Sequence, residues 1–475
     1  MRLLELFTPR RLAAGFLSLA VVGFGLTLFY LGDTFRPLVP ILQQSCPPPI
    51  ESDNHNSTYT HTVGTYANAY RTSYTSGTEK VFLMIKTGAT VLWDRFPIHL
   101  STTLPQVPYF ALYSDSPDKI AGIPVIDILS HTSADLQASD ELKMYRRQAA
   151  LVNEHANIEL YDPKAEIHGA WDLDRFKNMP MIAHAYKTRP DAEWYIFMDA
   201  DSYILWPNMM RWLRTLNSSD MLYMGSVAYL GNEPFAHGGS GVIMSGGLVR
   251  KTFGAEPDLQ FQYEEFTKSH CCGDHVVAHA FLDRDIHVLS GATYPYVSWR
   301  IQGEPPISAR FKKDNWCAEI VTFHHLHAHD VEKLYEFERK FSPDTPILYK
   351  DVYKEFIMPY ITETRHRWDN LADSREYSLE KENDHKNPVE TAYHSMKDCA
   401  AACEAWENCL QYRYKKGWCG LTDVIRLGQK EVGDGEKYTS AWMLDRIKSI
   451  RRSNSCDSLE GEGAYFAQMN EENAV

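Results

Sequence analysis

The stretch Trp194-Tyr195-Ile196-Phe197-Met198-Asp199-Ala200-Asp201 places the tightest constraint on the fold. Five consecutive apolar residues cannot alternate between a wet and a dry face, so they read as a strand buried on both sides. Strands of that kind belong to the parallel sheets of α/β folds, whose two faces are covered by helices. The run stops at two carboxylates one residue apart. Ligands of open α/β sheets bind just beyond the carboxyl ends of strands. Two hard oxygen donors placed there suit a divalent cation that keeps positions open for a phosphate. Asp-x-Asp by itself is a common turn or cap; the buried strand before it is what gives it weight.

The same pattern of apolar run and polar exit recurs. Val81 to Ile85 reads as a first buried strand ending at Lys86-Thr87-Gly88, and Pro108 to Tyr113 as a second ending at Ser114-Asp115-Ser116. A helix over Val91 to Leu100 between them would complete a βαβ unit. Asp115 could meet a base or ribose hydroxyl, or cap the next turn. Trp171 to Lys177 opens a helical segment reaching Ala185, with Asp172 or Asp174 as its cap. Around Gly238, Gly239 and Gly241 the backbone can approach a ligand closely, or simply turn before a strand over Val242 to Met244. Asp274 falls at a helix start, either as N-cap or as a carboxylate facing the cleft as general base. The apolar run Ile320 to Phe323 ends in His324, His325, His327 and His329, of which one is expected as a metal ligand.

The ends of the chain speak to compartment. Leu12 to Leu31 carries no charge and has about the 20 residues a bilayer span requires. Arg2, Arg10 and Arg11 precede it, so the short N-terminus stays cytoplasmic and the rest is lumenal. A cleaved signal peptide is the competing reading. Asn56 and Asn217 begin glycosylation sequons on the lumenal side. A formal charge of -14 argues against general nucleic-acid binding. Length exceeds that of one ordinary core, and four of the nine cysteines, Cys399, Cys403, Cys409 and Cys419, crowd together. An oxidising lumen favours disulfides there over zinc. Glu380 to Asn387 reads as a charged linker, and 446–475 as a disordered tail poor in apolar residues.

In order and spacing, Lys86-Thr87, Trp171 with Lys177, the Trp194-to-Tyr203 block, the Gly238-to-Ser245 block, Gly273-Asp274 and Phe323-His324-His325-Leu326 resemble glycosyltransferase family 31. The likeness is to its Fringe and core 1 β1,3-galactosyltransferase branch, and residues 388–445 resemble a PAN/Apple domain. The resemblance implies a GT-A α/β domain with a mixed central sheet over 79–380. It also implies a cytoplasmic tail (1–11), an anchor (12–31), a stem (32–78) and a single-pass Golgi or endoplasmic-reticulum membrane protein. The implied reaction is inverting transfer from a UDP-sugar, galactose first, to a glycan or glycoprotein, with Mn²⁺ as cofactor. Carried over by residue, Asp199, Asp201 and one of His324 and His325 hold the metal, and Asp274 is the base. Lys86, Thr87, Asp115, Lys177, Ala200, Gly238 and Gly239 surround the nucleotide sugar. The PAN likeness implies bridges Cys399–Cys419 and Cys403–Cys409; Cys46, Cys271, Cys272, Cys317 and Cys456 are left unassigned. Two other classes stay open: a metal-dependent phosphohydrolase, and a non-catalytic glycan-binding or chaperone-like relative.

Overall fold

Strand β1 (Val81–Lys86) lies between β2 (Phe110–Ser114) and β5 (Trp194–Asp199), parallel to both. The computed structural model describes residues 74–154, 158, 171–289, 297–378, 391–453 and 456. The segments read as cytoplasmic tail (1–11) and anchor (12–31), and the expected stem as far as residue 73, with Cys46 and Asn56, lie outside the described residues. Among the described residues no helix is long and apolar enough to cross a membrane.

The central sheet has seven strands in the order β3-β4-β2-β1-β5-β10-β7, with β3 (Asp118–Ile120), β4 (Ile123–Asp127), β7 (Tyr223–Met224) and β10 (Val242–Ser245). It is mixed: β4, β2, β1 and β5 run parallel, while β3 and β10 are antiparallel to their neighbours. Side chains alternate between its two faces, and both are dry. Phe82, Met84, Tyr195 and Phe197 enter one core, Leu83, Ile85, Ile196 and Met198 the other. Helix α1 (Asn178–Thr188) closes the first face with Met181, Ile182 and Ala185. Helix α2 (Trp206–Leu213) closes the second with Trp206, Met209 and Trp212. Truncating a side chain such as Ile196 to alanine would cost about 2–5 kcal/mol.

Local chemistry moved several boundaries. The helix expected over Val91 to Leu100 is a short turn, Leu92–Arg95, followed by a 3-10 turn, Pro97–Leu100. Pro97 has no N–H to continue the α-helical ladder. The strand ahead of the histidines is only β11 (Thr322–Phe323), paired with β6 (Tyr203–Ile204) outside the main sheet. Val321 still accepts the Leu205 N–H across from it, but donates its own N–H to the Arg300 carbonyl, so the return bond that would extend the ladder is missing. Asn217 lies exposed in the turn after α2, where its side chain bonds Asp220.

The C-terminal unit begins earlier than its cysteines indicate. Its five-stranded sheet has the order β12-β18-β15-β16-β14. The strands are β12 (Thr364–His366), β14 (Arg375–Ser378), β15 (Gln411–Lys415), β16 (Trp418–Thr422) and β18 (Thr439–Trp442). Beside it β13 (Trp368–Asp369) pairs with β17 (Gln429–Lys430). A division at residue 380 therefore cuts through this sheet. The first strands were illegible because β12 and β14 are edges, polar and partly exposed, without the apolar signal of a buried strand. The disordered tail expected over 446–475 is corrected where it is described, at 446–453. Leu444–Ser453 is a helix that buries Ile447 in the core shared with Phe311, Ile425 and Trp442. Cys399–Cys419 and Cys403–Cys409 pair, as do Cys271–Cys272 and Cys317–Cys456.

One buried carboxyl in this core gives a direct test of the packing. Glu338, at the end of helix α4 (Ala328–Glu338), accepts the Tyr203 hydroxyl at 2.7 Å. Burial pushes its pKa up to about 8 despite that bond. Folded, Glu338 keeps its proton up to that pH; unfolded, it loses it near 4.5. Its contribution is therefore complete below pH 4.5 and is lost as pH rises to 8, up to about 5 kcal/mol. Glu338→Gln keeps the acceptor and cannot ionise. Its melting temperature should match the wild type at pH 4.5 and exceed it by a growing margin toward pH 8. A margin that shrinks with rising pH would refute this.

Candidate active site

The register of β1 on β5 sets Lys86 directly beside Asp199, and the chain past Asp199 turns back through Ala200 to Asp201. A buried histidine fastens that turn. His99 Nε2 donates to the Ala200 carbonyl at 2.8 Å, while its Nδ1 accepts from Thr103 Oγ1 at 2.8 Å. Burial lowers the His99 pKa to about 4, so the ring is neutral at pH 7 and this tautomer holds. Nothing in the sequence around His99 pointed to this role; a lone histidine carries no spacing signal.

Three candidate ligands meet at this turn. Asp201, His324 and His325 have ligand atoms within 4.8 Å of one another, the one such group among the described residues. The β6–β11 pairing delivers His324, placing Phe323 opposite Tyr203 and thus His324 beside Asp201. Asp201 Oδ1 lies 3.3 Å from His324 Nε2, and Oδ2 lies 3.0 Å from Arg95. Successive side chains in a strand point apart. His325 departs from the strand at φ 57°, and its ring lies tilted against His324 with centroids 3.8 Å apart. That left-handed residue, unusual for anything but glycine, lets both histidines face one carboxylate. The sequence led to one histidine ligand; the structure gathers two. His327 and His329 are exposed at the start of α4, outside the group.

Asp199 stands outside the same group, turned to Lys86 at 3.3 Å. Burial raises its pKa, and the nearby Asp174 and Asp201 charges add to that, against Lys86. Asp201 goes the other way: burial opposes its charge, but the His324 hydrogen bond and Arg95 hold it below the usual carboxylate range. Asp199 Oδ1 and Asp201 Oδ1 are buried with only charge contacts at 3.3 Å, to Lys86 and His324, and His324 Nδ1 is buried without a hydrogen-bond partner. Buried polar atoms are normally satisfied, so such a cluster calls for something to satisfy it. Carboxylate oxygens with imidazole nitrogens fit a divalent cation.

Across the Lys86 side runs a chain of buried charges. Lys86 pairs with Asp174 as well as Asp199. Burial disfavours its ammonium, yet the two carboxylates outweigh this and raise its pKa. Lys177 contacts Asp115 at 3.0 Å and Asp174 at 3.5 Å, and donates to the Thr87 carbonyl at 3.0 Å. Asp115 accepts the Ala89 N–H at 2.7 Å, so it shapes the turn after β1 and does not cap the turn that follows it. Asp174, read from the sequence only as a possible cap, is the carboxylate that joins both lysines. Its one legible signal was the three-residue spacing to Lys177.

Asp274 occupies the first turn of helix α3 (Gly273–Leu282), whose N-cap is Cys272. The carboxylate faces the glycine turn: Oδ2 accepts the Gly238 N–H at 2.8 Å, Oδ1 the His275 N–H at 2.9 Å. The next residue, Gly239, meets the other candidate group. A Cβ there would lie 2.1 Å from His324 Cε1, so only glycine fits. Ser202 Oγ fastens the turn by donating to the Gly239 carbonyl at 2.6 Å. Two adjacent glycines thus join the candidate base to the candidate metal group.

Compared with known proteins, the chain matches no family model and no curated relative.

Proposed function

We propose that this chain is an inverting, divalent-metal-dependent glycosyltransferase acting on a UDP-sugar and a glycan or glycoprotein hydroxyl. The observation that carries the reading is the cluster of under-satisfied buried ligand atoms on Asp199, Asp201 and His324 at the end of a parallel strand. It stands one glycine away from a carboxylate suited to remove a proton. Sequence resemblance to family 31 supports the same reading and makes galactose in β1,3 linkage the first donor to test. The anchor at 12–31 and a Golgi or endoplasmic-reticulum lumen belong to this proposal, and the four disulfides agree with an oxidising compartment.

In this reading Asp201, His324 and His325, with Asp199 beside them, would hold Mn²⁺, which when bound would supply positive charge opposite the leaving diphosphate. Lys86, braced by Asp174 and Asp199, fixes the orientation of the Asp199 carboxylate. Lys177 and Asp115 set the backbone of Thr87 to Ala89 along the nucleotide. Asp274 takes the proton of the acceptor hydroxyl. The acceptor oxygen forms the new bond to the anomeric carbon as the bond to the diphosphate oxygen breaks. That oxygen keeps the electron pair, and attack from the opposite side inverts the centre. The Gly238 N–H holds Asp274 in place for this.

The test is the full chain against a panel of UDP-sugars, with and without Mn²⁺ and acceptor. Release of UDP that depends on donor identity, metal and acceptor is the expected result. Inorganic phosphate as product would establish the phosphohydrolase reading instead. No turnover with any donor would leave a binding protein.

A further inference from the structure

A groove of about 730 Å³ opens beside His325 and runs between α4 and the C-terminal unit. We infer that it binds a neutral oligosaccharide acceptor, and that the C-terminal unit supplies one of its walls. The inference rests on the transferase reading for the ligand's role as acceptor.

Continuity is the first argument. His325 belongs both to the candidate metal group and to the groove lining. From Asp274 the packing runs through Gly238 and Gly239 to His324, and from there to the adjoining His325 ring. A chain lying in the groove would therefore extend from the site where the new bond forms. The volume falls in the range of small-molecule sites, about 300–1,000 Å³, and exceeds what one sugar ring needs.

The walls are fixed relative to each other. Phe311 and Ile425 exchange backbone hydrogen bonds at 3.1 and 2.7 Å, and Leu427 donates to the Ile307 carbonyl at 3.0 Å. These bonds tie the Pro305–Phe311 segment to the C-terminal unit. Trp368 donates its indole N–H to the Leu427 carbonyl at 2.6 Å, which sets the ring at the groove edge. Tyr360 is 51% exposed on the same surface. The Arg365 guanidinium covers one face of Trp368 at 4.3 Å, so the exposed Tyr360 ring is the apolar face offered to sugar C–H groups.

Charge selects the class. Asp330, Glu336 and Glu355 stand against Lys333, Lys340 and Arg365, a balanced set. Lys340 and Glu355 already pair at 2.6 Å. A polyanion finds no excess of positive charge here, whereas hydroxyl groups find donors and acceptors of both kinds. An exposed aromatic face and balanced charge both suit a neutral carbohydrate.

The experiment uses the full chain and a printed panel of neutral oligosaccharides, from monosaccharide to hexasaccharide, beside unglycosylated peptides. Wild type should retain the longer oligosaccharides. Tyr360→Ala and Gln429→Ala change exposed side chains and should each weaken that binding about tenfold, with Mn²⁺-dependent UDP affinity unchanged. Failure to retain any oligosaccharide, unaltered binding by both variants, or preference for the peptides would each overturn the inference. Oligosaccharide capture without Mn²⁺-dependent UDP binding would uphold the groove and remove the transferase reading, so the two failures are told apart.

Discussion

Asp274→Asn should reduce sugar transfer by about 10²- to 10⁴-fold while leaving UDP affinity near that of the wild type. The substitution isolates one property. Asparagine keeps the size of the side chain and an oxygen able to accept the Gly238 N–H, so the glycine turn keeps its tie to α3. What it loses is the capacity to take a proton. Asp274 is not among the residues of the metal group, so nucleotide binding has no reason to change. The measurement is steady-state transfer together with calorimetric UDP titration in Mn²⁺. Turnover within a few-fold of the wild type would remove Asp274 from the mechanism.

The second large effect concerns the metal group and can be reached from two directions. Asp201→Ala removes a carboxylate that meets both His324 and Arg95. Metal-dependent UDP binding should fall by at least the 10- to 100-fold range typical of disturbed metal sites, roughly. Gly239→Ala removes no functional group at all. Its methyl would enter the His324 ring, with contacts of 2.1 to 2.6 Å, so something must shift. The ring must move or the turn must open, and either displaces a ligand from Asp201. Gly239→Ala should therefore resemble Asp201→Ala in metal dependence, with the transfer reaction failing in step. A Gly239→Ala protein that binds UDP and Mn²⁺ as the wild type does would show that His324 is not a ligand.

Legibility in the sequence followed burial. The strands around Val81, Phe110 and Trp194 were readable because burial on both faces demands unbroken apolar runs. Their carboxyl ends then marked Lys86, Asp115 and Asp199 as neighbours. Edge strands β12 and β14 lack that demand, and Arg365 or Glu376 could equally stand in a loop. Asp174 and His99 were hidden for a different reason. Each acts on a partner distant in sequence, Lys86 or the Ala200 carbonyl, and no local spacing encodes such a contact. The pairing of Cys317 with Cys456 was hidden likewise, since connectivity cannot be deduced from spacing. Even the doubled histidine depended on one backbone angle at His325 that side-chain chemistry does not announce.

The Cys317–Cys456 bond makes a covalent ring of the chain between them, a span of 139 positions that holds α4 and the entire C-terminal sheet. A protease cutting once anywhere inside that ring would leave one molecule, separable into fragments only after reduction. Shortening the chain ahead of Cys456 has the opposite effect. It would open the ring, leave Cys317 as a thiol able to cross-link copies of the protein, and surrender a loop constraint of about 5 kcal/mol on the chain-entropy account.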